Sequence, residues 1–219
     1  MFMQRTQRKD AVRNIFKRKI SYLSILLTIT LGVTGLLCIF FLAVSMEKVA
    51  AKHYESSNFR DIEITTSLGL SAEDLEAIRG LDRIADAEGI FSAEALLSNG
   101  SATGKATVWS ATERINTPLL RSGRMPEGDG ECAIDVPLAE KLGVSVGDTV
   151  HIYLSGSPEG FLRHDAFTVT GTVLHPQSVK VDTAANVVVP AAAFDPEKTE
   201  DGYTGVLAML DIPRDAGMF

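Results

Sequence analysis

The side chains that could do chemistry here are four histidines, two cysteines, a few serines and one run of close-set carboxylates. His53, His151, His164 and His175 lie far apart, with no H-x-x-x-H or H-E-x-x-H spacing to set two imidazoles on one helix face around a metal. A structural or surface role is the better reading for all four. Gly128-Asp129-Gly130-Glu131 places glycines beside acids, but no lysine follows as in a phosphate loop. Its carboxylates also lack the alternation of a calcium loop. Ser45, Ser98 and Ser101 stand outside any nucleophile-elbow motif and have no evident base. Asp129, Glu131 and Asp135 cluster, yet side chains alternate in direction along a strand, so solvent exposure is expected for them. Cys132 reads as a small apolar strand residue. The expectation is therefore no catalytic residue, no cofactor-binding residue and no metal ligand, and a protein that is not an enzyme.

The elements around these residues set where the chain lies. Ile20 to Met46 contains no charged residue, and Lys17, Arg18 and Lys19 precede it while Glu47 and Lys48 follow. As a helix these 27 residues reach about 40 Å, against a hydrocarbon core of about 30 Å. A transmembrane helix is expected over 20–46. The first 19 residues carry Arg5, Arg8, Lys9, Arg13, Lys17, Arg18 and Lys19 against Asp10 alone, a net charge of +6. Basic residues beside a span stay on the cytoplasmic side, so residues 47–219 should lie outside the cytoplasm. A cleaved signal peptide is disfavoured because its apolar core runs to about 7–15 residues, even though Ala43-Val44-Ser45 resembles a cleavage site. Lipid attachment at Cys38 is disfavoured because Leu37 precedes it and Ile39-Phe40-Phe41-Leu42 continue the apolar run.

Residues 47–219 hold 14 Lys and Arg against 27 Asp and Glu, a net charge of −13. That balance argues against nucleic acid or anionic lipid as a partner of the exterior part. Cys132 is its single cysteine, so no disulfide within the chain can staple it and packing must hold the fold.

In chain order, residues 8–19 place Val12, Ile15 and Phe16 at helical spacing among basic residues, as a cytoplasmic interfacial helix or a plain topology signal. Thr28, Gly32 and Gly35 lie near one face of the span, where another helix could approach closely. Residues 47–58 continue the helix as a stalk that frays at Ser56-Ser57-Asn58. Asp61–Thr66 alternates as a strand, and Ser71 caps a helix bearing Asp74, Leu75, Ile78 and Leu81. Ile90–Leu97 and Thr103–Ala111 read as a hairpin about Ser98-Asn99-Gly100-Ser101. Pro118 to Gly130 reads as loop and turns, Glu131–Asp135 as a short strand, and Pro137 as the first turn of a helix ending at Gly143. Thr149–Leu154, Phe167–Val173, Asn186–Pro190 and Val206–Ile212 read as the later strands, with a short helical turn at Ala191–Phe194.

Two parts of the chain carry a resemblance. Val12 to Val33, a basic asparagine-bearing helix running at once into a span, resembles the start of ABC transporter permeases of the FtsX/MacB type. In the exterior, Gly123-Arg124, Glu131, Ala139, Leu142-Gly143, Val146-Gly-Asp-Thr-Val150, Phe167-Thr-Val-Thr-Gly171 and Asn186-Val-Val-Val-Pro190 look, in this order, like the MacB-like periplasmic core domain. The resemblance covers roughly 11–212 and implies an α+β fold: one transmembrane helix followed by a two-lobed extracytoplasmic domain over 59–219. It further implies an inserted β-rich lobe at 113–178. As implied partners it brings a cytoplasmic ABC-type ATPase, a second permease copy or half, and a lipoprotein, peptide or protein cargo, with motion passed along helix and stalk. The family carries three further spans after this domain, whereas no later stretch here reaches 18 apolar residues in a row. The expected function is thus the N-terminal part of a permease subunit. The alternatives are a single-pass exterior binding or scaffold protein, and a signal-anchored hydrolase resting on scattered Ser, His and Asp.

Overall fold

The computed structural model describes residues 19–157, 160–179, 185–199 and 202–211. Of the basic segment 8–19, only Lys19 falls among them. From Lys19 to Ser56 the chain is one α-helix, α1. Its apolar side chains from Ile20 to Leu42 stand exposed on every side, as suits a lipid surround. The two threonines that interrupt this surface donate to their own helix, Thr28 Oγ1 to the Ser24 carbonyl at 2.9 Å and Thr30 Oγ1 to that of Leu26 at 2.8 Å. A hydroxyl satisfied within the helix is tolerable in hydrocarbon. Lys19–Met46 is long and apolar enough to cross a membrane. The chain divides into two units within α1, after Val49.

The second unit is built on two sheets. The smaller has strands β1 (Ile62–Leu70), β10 (Tyr203–Leu210) and β2 (Ile84–Ile90) in the order β1-β10-β2, all antiparallel. Helix α2 (Ala72–Arg79) covers one face and puts Leu75 and Ile78 against Ala87, Val206 and Ala208. Ser71 and Asp74 form the expected capping box: Asp74 N–H donates to Ser71 Oγ at 3.1 Å, and Ser71 N–H returns to the Asp74 carboxylate at 2.9 Å. These bonds from Ser71 lower the Asp74 pKa.

The larger sheet has β3 (Ser92–Ser98), β4 (Thr103–Ser110), β5 (Leu119–Gly123), β6 (Glu131–Asp135), β7 (Thr149–Ser155), β8 (Ala166–Leu174) and β9 (Ala185–Val189). Their order is β5-β8-β6-β9-β4-β3-β7, and β7 returns to pair with β8. Strands β8, β6, β9, β4, β3 and β7 therefore close a ring, and β5 lies along the remaining length of β8. Leu97, Val108, Ile134, Val150, Phe167 and Val187 fill its interior, and Leu138 and Leu142 of α3 (Val136–Leu142) join the same core. Alanines at 93, 95 and 106 leave room for these larger groups in a narrow barrel. Gly171 is forced by crowding, since a Cβ there would come within 2.4 Å of the Arg124 carbonyl oxygen. Gly143 ends α3 in the left-handed region, at φ 64°, as its place in the sequence predicts.

Two expectations change. The strand expected over Ile90–Leu97 is two strands in two sheets, because the chain crosses at Phe91. There Phe91 N–H donates to Ser110 Oγ and Ser92 N–H to Thr204 Oγ1, so side chains replace ladder bonds. The hairpin β3–β4 consequently belongs to the barrel. The larger sheet takes β3, β4 and β9 as well as strands from 113–178. Finally, Leu119–Gly123 is a strand, its signal hidden by Pro118 on one side and Gly123 on the other.

Candidate functional site

A polar meeting point of the second unit lies where α1 ends. Asn58 comes after the helix in the left-handed conformation, φ 46°, which stops a helix and turns the chain aside. It faces the loop 112–117 between β4 and β5, where Asn116 is also left-handed, at φ 56°. Asn tolerates this conformation better than most residues because its short amide bonds locally. Asn116 N–H donates to the Asn58 carbonyl at 3.0 Å, Thr117 N–H to the Ser57 carbonyl at 2.9 Å, and Asn58 Nδ2 to the Arg114 carbonyl at 3.1 Å. Beyond the turn, Arg60 N–H donates to Asn116 Oδ1 at 3.0 Å. Asn116 is buried, and its Nδ2 has no hydrogen-bond partner among the described residues.

The loop that receives the helix is itself held by β2. The Glu88 carboxylate accepts from the backbone N–H groups of Glu113, Arg114 and Ile115 at 2.9, 3.2 and 3.0 Å. Ile115 is wholly buried with Trp109 of the barrel and with Ile90 and Leu207 of the small sheet. Asp61 adds ties to β10: its N–H donates to the Ala208 carbonyl at 3.0 Å and its carboxylate accepts from Leu210 N–H at 2.8 Å. Arg60 pairs with Glu63 and, with the Gln177 amide turned so that its oxygen faces the guanidinium, meets that oxygen at 2.5 and 2.7 Å. The end of α1 is thus joined by hydrogen bonds to both sheets. Sequence reasoning misses this junction because Ser56-Ser57-Asn58 reads as a frayed end. The only local signal is the Asn, common where a helix stops.

The residues weighed for chemistry go elsewhere. Asp135, expected in solvent, is buried, because it ends the central strand β6 beneath the turn Pro176–Val179. It accepts from His175 N–H at 3.0 Å, from the Ser178 hydroxyl, and from Asn186 N–H and Nδ2, both at 3.2 Å. Asn186 Oδ1 in turn accepts from Trp109 Nε1 at 2.9 Å. Carboxylate, hydroxyl and a histidine meet here. Asp135 accepts from the His175 backbone N–H, His175 Nδ1 accepts from Gln177 N–H, the His175 ring stacks on Trp109, and the Ser178 hydroxyl donates to Asp135. The cluster pins a turn onto the barrel.

Glu131 accepts from both terminal nitrogens of Arg124 and from the N–H groups of Glu127 and Gly128 at 2.9 and 3.1 Å, folding the Pro126–Gly130 turn around one carboxylate. Arg124, with the two N–H donors, pushes its pKa down to about 2. Cys132 lies in the barrel interior, where burial pushes its thiol up to about 12, away from nucleophilic use. His151 stacks on Tyr153 at the surface, and His164 Nε2 lies 3.4 Å from Asp129. His53 stands in α1. Ser98 Oγ accepts from Gly100 N–H in the hairpin turn. Among the described residues no group of three or more His, Cys, Asp or Glu is placed to hold a metal ion.

Comparison with known proteins places the chain in a family. The sequence model of the MacB-like periplasmic core domain family matches residues 23–217. No curated protein matches the chain. Solved structures similar to it include the extracellular domain of the noncanonic ABC-type transporter YknZ from Gram-positive bacteria. That one is 14% identical, with a TM-score of 0.48 over 69% of this chain and 85% of that one. Another is the periplasmic region of MacB from Actinobacillus actinomycetemcomitans, also 14% identical, with a TM-score of 0.44 over 69% of this chain and 75% of that one.

Proposed function

The chain belongs to the MacB-like periplasmic core domain family, and from that premise we propose that it is the N-terminal part of an ABC transporter permease subunit with its N-terminus in the cytoplasm. A cytoplasmic ABC-type ATPase is its partner on one side of the membrane. On the other, residues 47–219 handle a lipoprotein, peptide or protein, and a second permease copy or half completes the assembly. The helix-exit junction is the observation that carries the reading. A plain anchor needs no more than a covalent link, whereas here Ser57 and Asn58 are bonded to a loop gripped by both sheets. Motion at the end of α1 reaches the exterior unit through that loop. The positive charge of residues 1–19 supports the orientation.

Purification of the tagged full chain from its own host in mild detergent, with a non-hydrolysable ATP analogue present, tests the partner. An ABC-type ATPase that co-purifies supports the proposal, and its absence from such preparations overturns it. In intact cells an impermeant thiol reagent should label Tyr153→Cys and leave Met3→Cys untouched. The opposite pattern refutes the orientation.

A further inference from the structure

Asn99 and Gly100 stand at the tip of the β3–β4 hairpin and form the chain's one Asn-Gly pair. The other four asparagines are followed by Ile15, Phe59, Thr117 and Val187. An Asn-Gly pair is open to deamidation, because glycine has no Cβ to keep its backbone nitrogen from the asparagine side chain. Bulky or β-branched neighbours crowd the same approach at the other four. Water is the sole co-reactant. Gly100 N bonds to Asn99 Cγ, the Cγ–Nδ2 bond breaks, and the Gly100 proton leaves with the amide nitrogen as ammonia. Water then opens the resulting succinimide at either carbonyl, leaving an aspartate or an isoaspartate at position 99.

The fold engages the groups that react. Asn99 Nδ2 donates to the Leu142 carbonyl at 2.6 Å, while Oδ1 accepts from Ser101 N–H at 2.9 Å and Ala102 N–H at 2.7 Å. Gly100 N–H donates backwards, to Ser98 Oγ at 3.1 Å. The leaving amide is thus anchored on α3 and the attacking nitrogen on β3. Leu142 is the last residue of α3, and its carbonyl lies among those that a helix leaves without an internal partner. The Asn99 amide therefore caps α3, beside the left-handed Gly143 that ends it. A carboxylate at position 99 would set acceptor against acceptor there, with a negative charge at the negative end of the helix. An isoaspartate would also lengthen the backbone of the turn that joins the paired Ser98 and Thr103.

We infer that Asn99 is a deamidation site held shut by the fold. It converts when the hairpin tip lifts off α3, and conversion keeps the tip from seating there again. Such lifting costs less than global unfolding, since tips with exposed backbone open locally. Gly100 and Ser101 are both exposed. The site involves neither ATPase nor cargo, so it stands or falls separately from the proposed function.

The test is peptide mass mapping of the full chain in detergent, incubated in mildly alkaline buffer with and without unfolding urea. In urea Asn99 should convert ahead of the other asparagines, which serve as internal controls. In the folded chain it should convert about tenfold more slowly or less, as a reaction that waits on local opening does. Equal rates at Asn99 in the two states, or earlier conversion at another asparagine, overturn the inference. The product is reproduced by Asn99→Asp. There, hydrogen exchange at the Gly143 and Val144 N–H groups, which bond back to Glu140 and Ala139 at the end of α3, should quicken about tenfold. Asn99→Ala, which removes the cap without adding charge, serves as the second variant if Asn99→Asp does not fold. Exchange unchanged in the folded variant overturns the inference as well.

Discussion

Replacing Ile115 with alanine should loosen the seam between the two sheets more than any change at the surface. Ile115 has no exposed area and lies among Ile90, Trp109 and Leu207. Alanine removes three carbon groups, worth about 2.4 kcal/mol at about 0.8 kcal/mol each. The unfilled space adds to that, partly offset because a loop relaxes more readily than a strand, so a total cost of about 3 kcal/mol is expected. For a unit of this size each kcal/mol lowers the midpoint by about 2–4 °C, giving a fall of about 6–12 °C. Ile115→Val should cost about 1 kcal/mol, and Leu81→Ala, at a site 58% exposed, should stay within about 0.5 kcal/mol of the parent. The assay is thermal unfolding of the full chain in detergent, followed both by circular dichroism and by the fluorescence of Trp109, which sits in the same cluster. The two signals should fall together and shift together. A midpoint change under about 2 °C, or two separated transitions in the parent protein, would refute the shared seam.

The turn around Glu131 and the strand after it give two more expected outcomes. The folded Glu131 pKa is lowered from 4.5 to about 2, so the clasp stabilises fully above the ordinary carboxylate range and is lost as pH falls through 4.5 towards about 2. The stability difference between the parent and Glu131→Gln, measured by urea unfolding, should be level near neutral pH and close over that window. A difference that does not change there disproves the clasp. Cys132, with its thiol pushed up to about 12 in the barrel interior, should resist an aromatic disulfide reagent at about pH 8 in the folded Cys38→Ala chain and react promptly once unfolded. Equal rates in the two states would contradict its burial.

Much of the fold was legible because local signals and packing agreed. Ser71 and Asp74 cap α2, Gly143 ends α3, and Asn186–Pro190 shows as a strand by its run of valines, since in each case the residue type meets a need of its own backbone. The strand Leu119–Gly123 was not legible. All five of its residues are exposed, and its pairing with β8 leaves no periodic trace in its own sequence. Asp135 misled for the opposite reason. Alternation along a strand says which way a side chain points, not that His175, Ser178 and Asn186 wait there to receive it.

The sequence by itself determined the uncharged run that can cross a membrane, the side of it that holds the positive charge, and the α+β character of the exterior residues. Each depends on composition or short-range order, and needs no knowledge of distant neighbours. Only the tertiary structure decided that Ile90 and Ser92, two residues apart, belong to different sheets, and that the end of α1 is gripped by a loop nearly sixty residues further on. Both outcomes depend on contacts between segments far apart in the chain. Such contacts are set by which apolar faces can be buried together, a property of the whole fold.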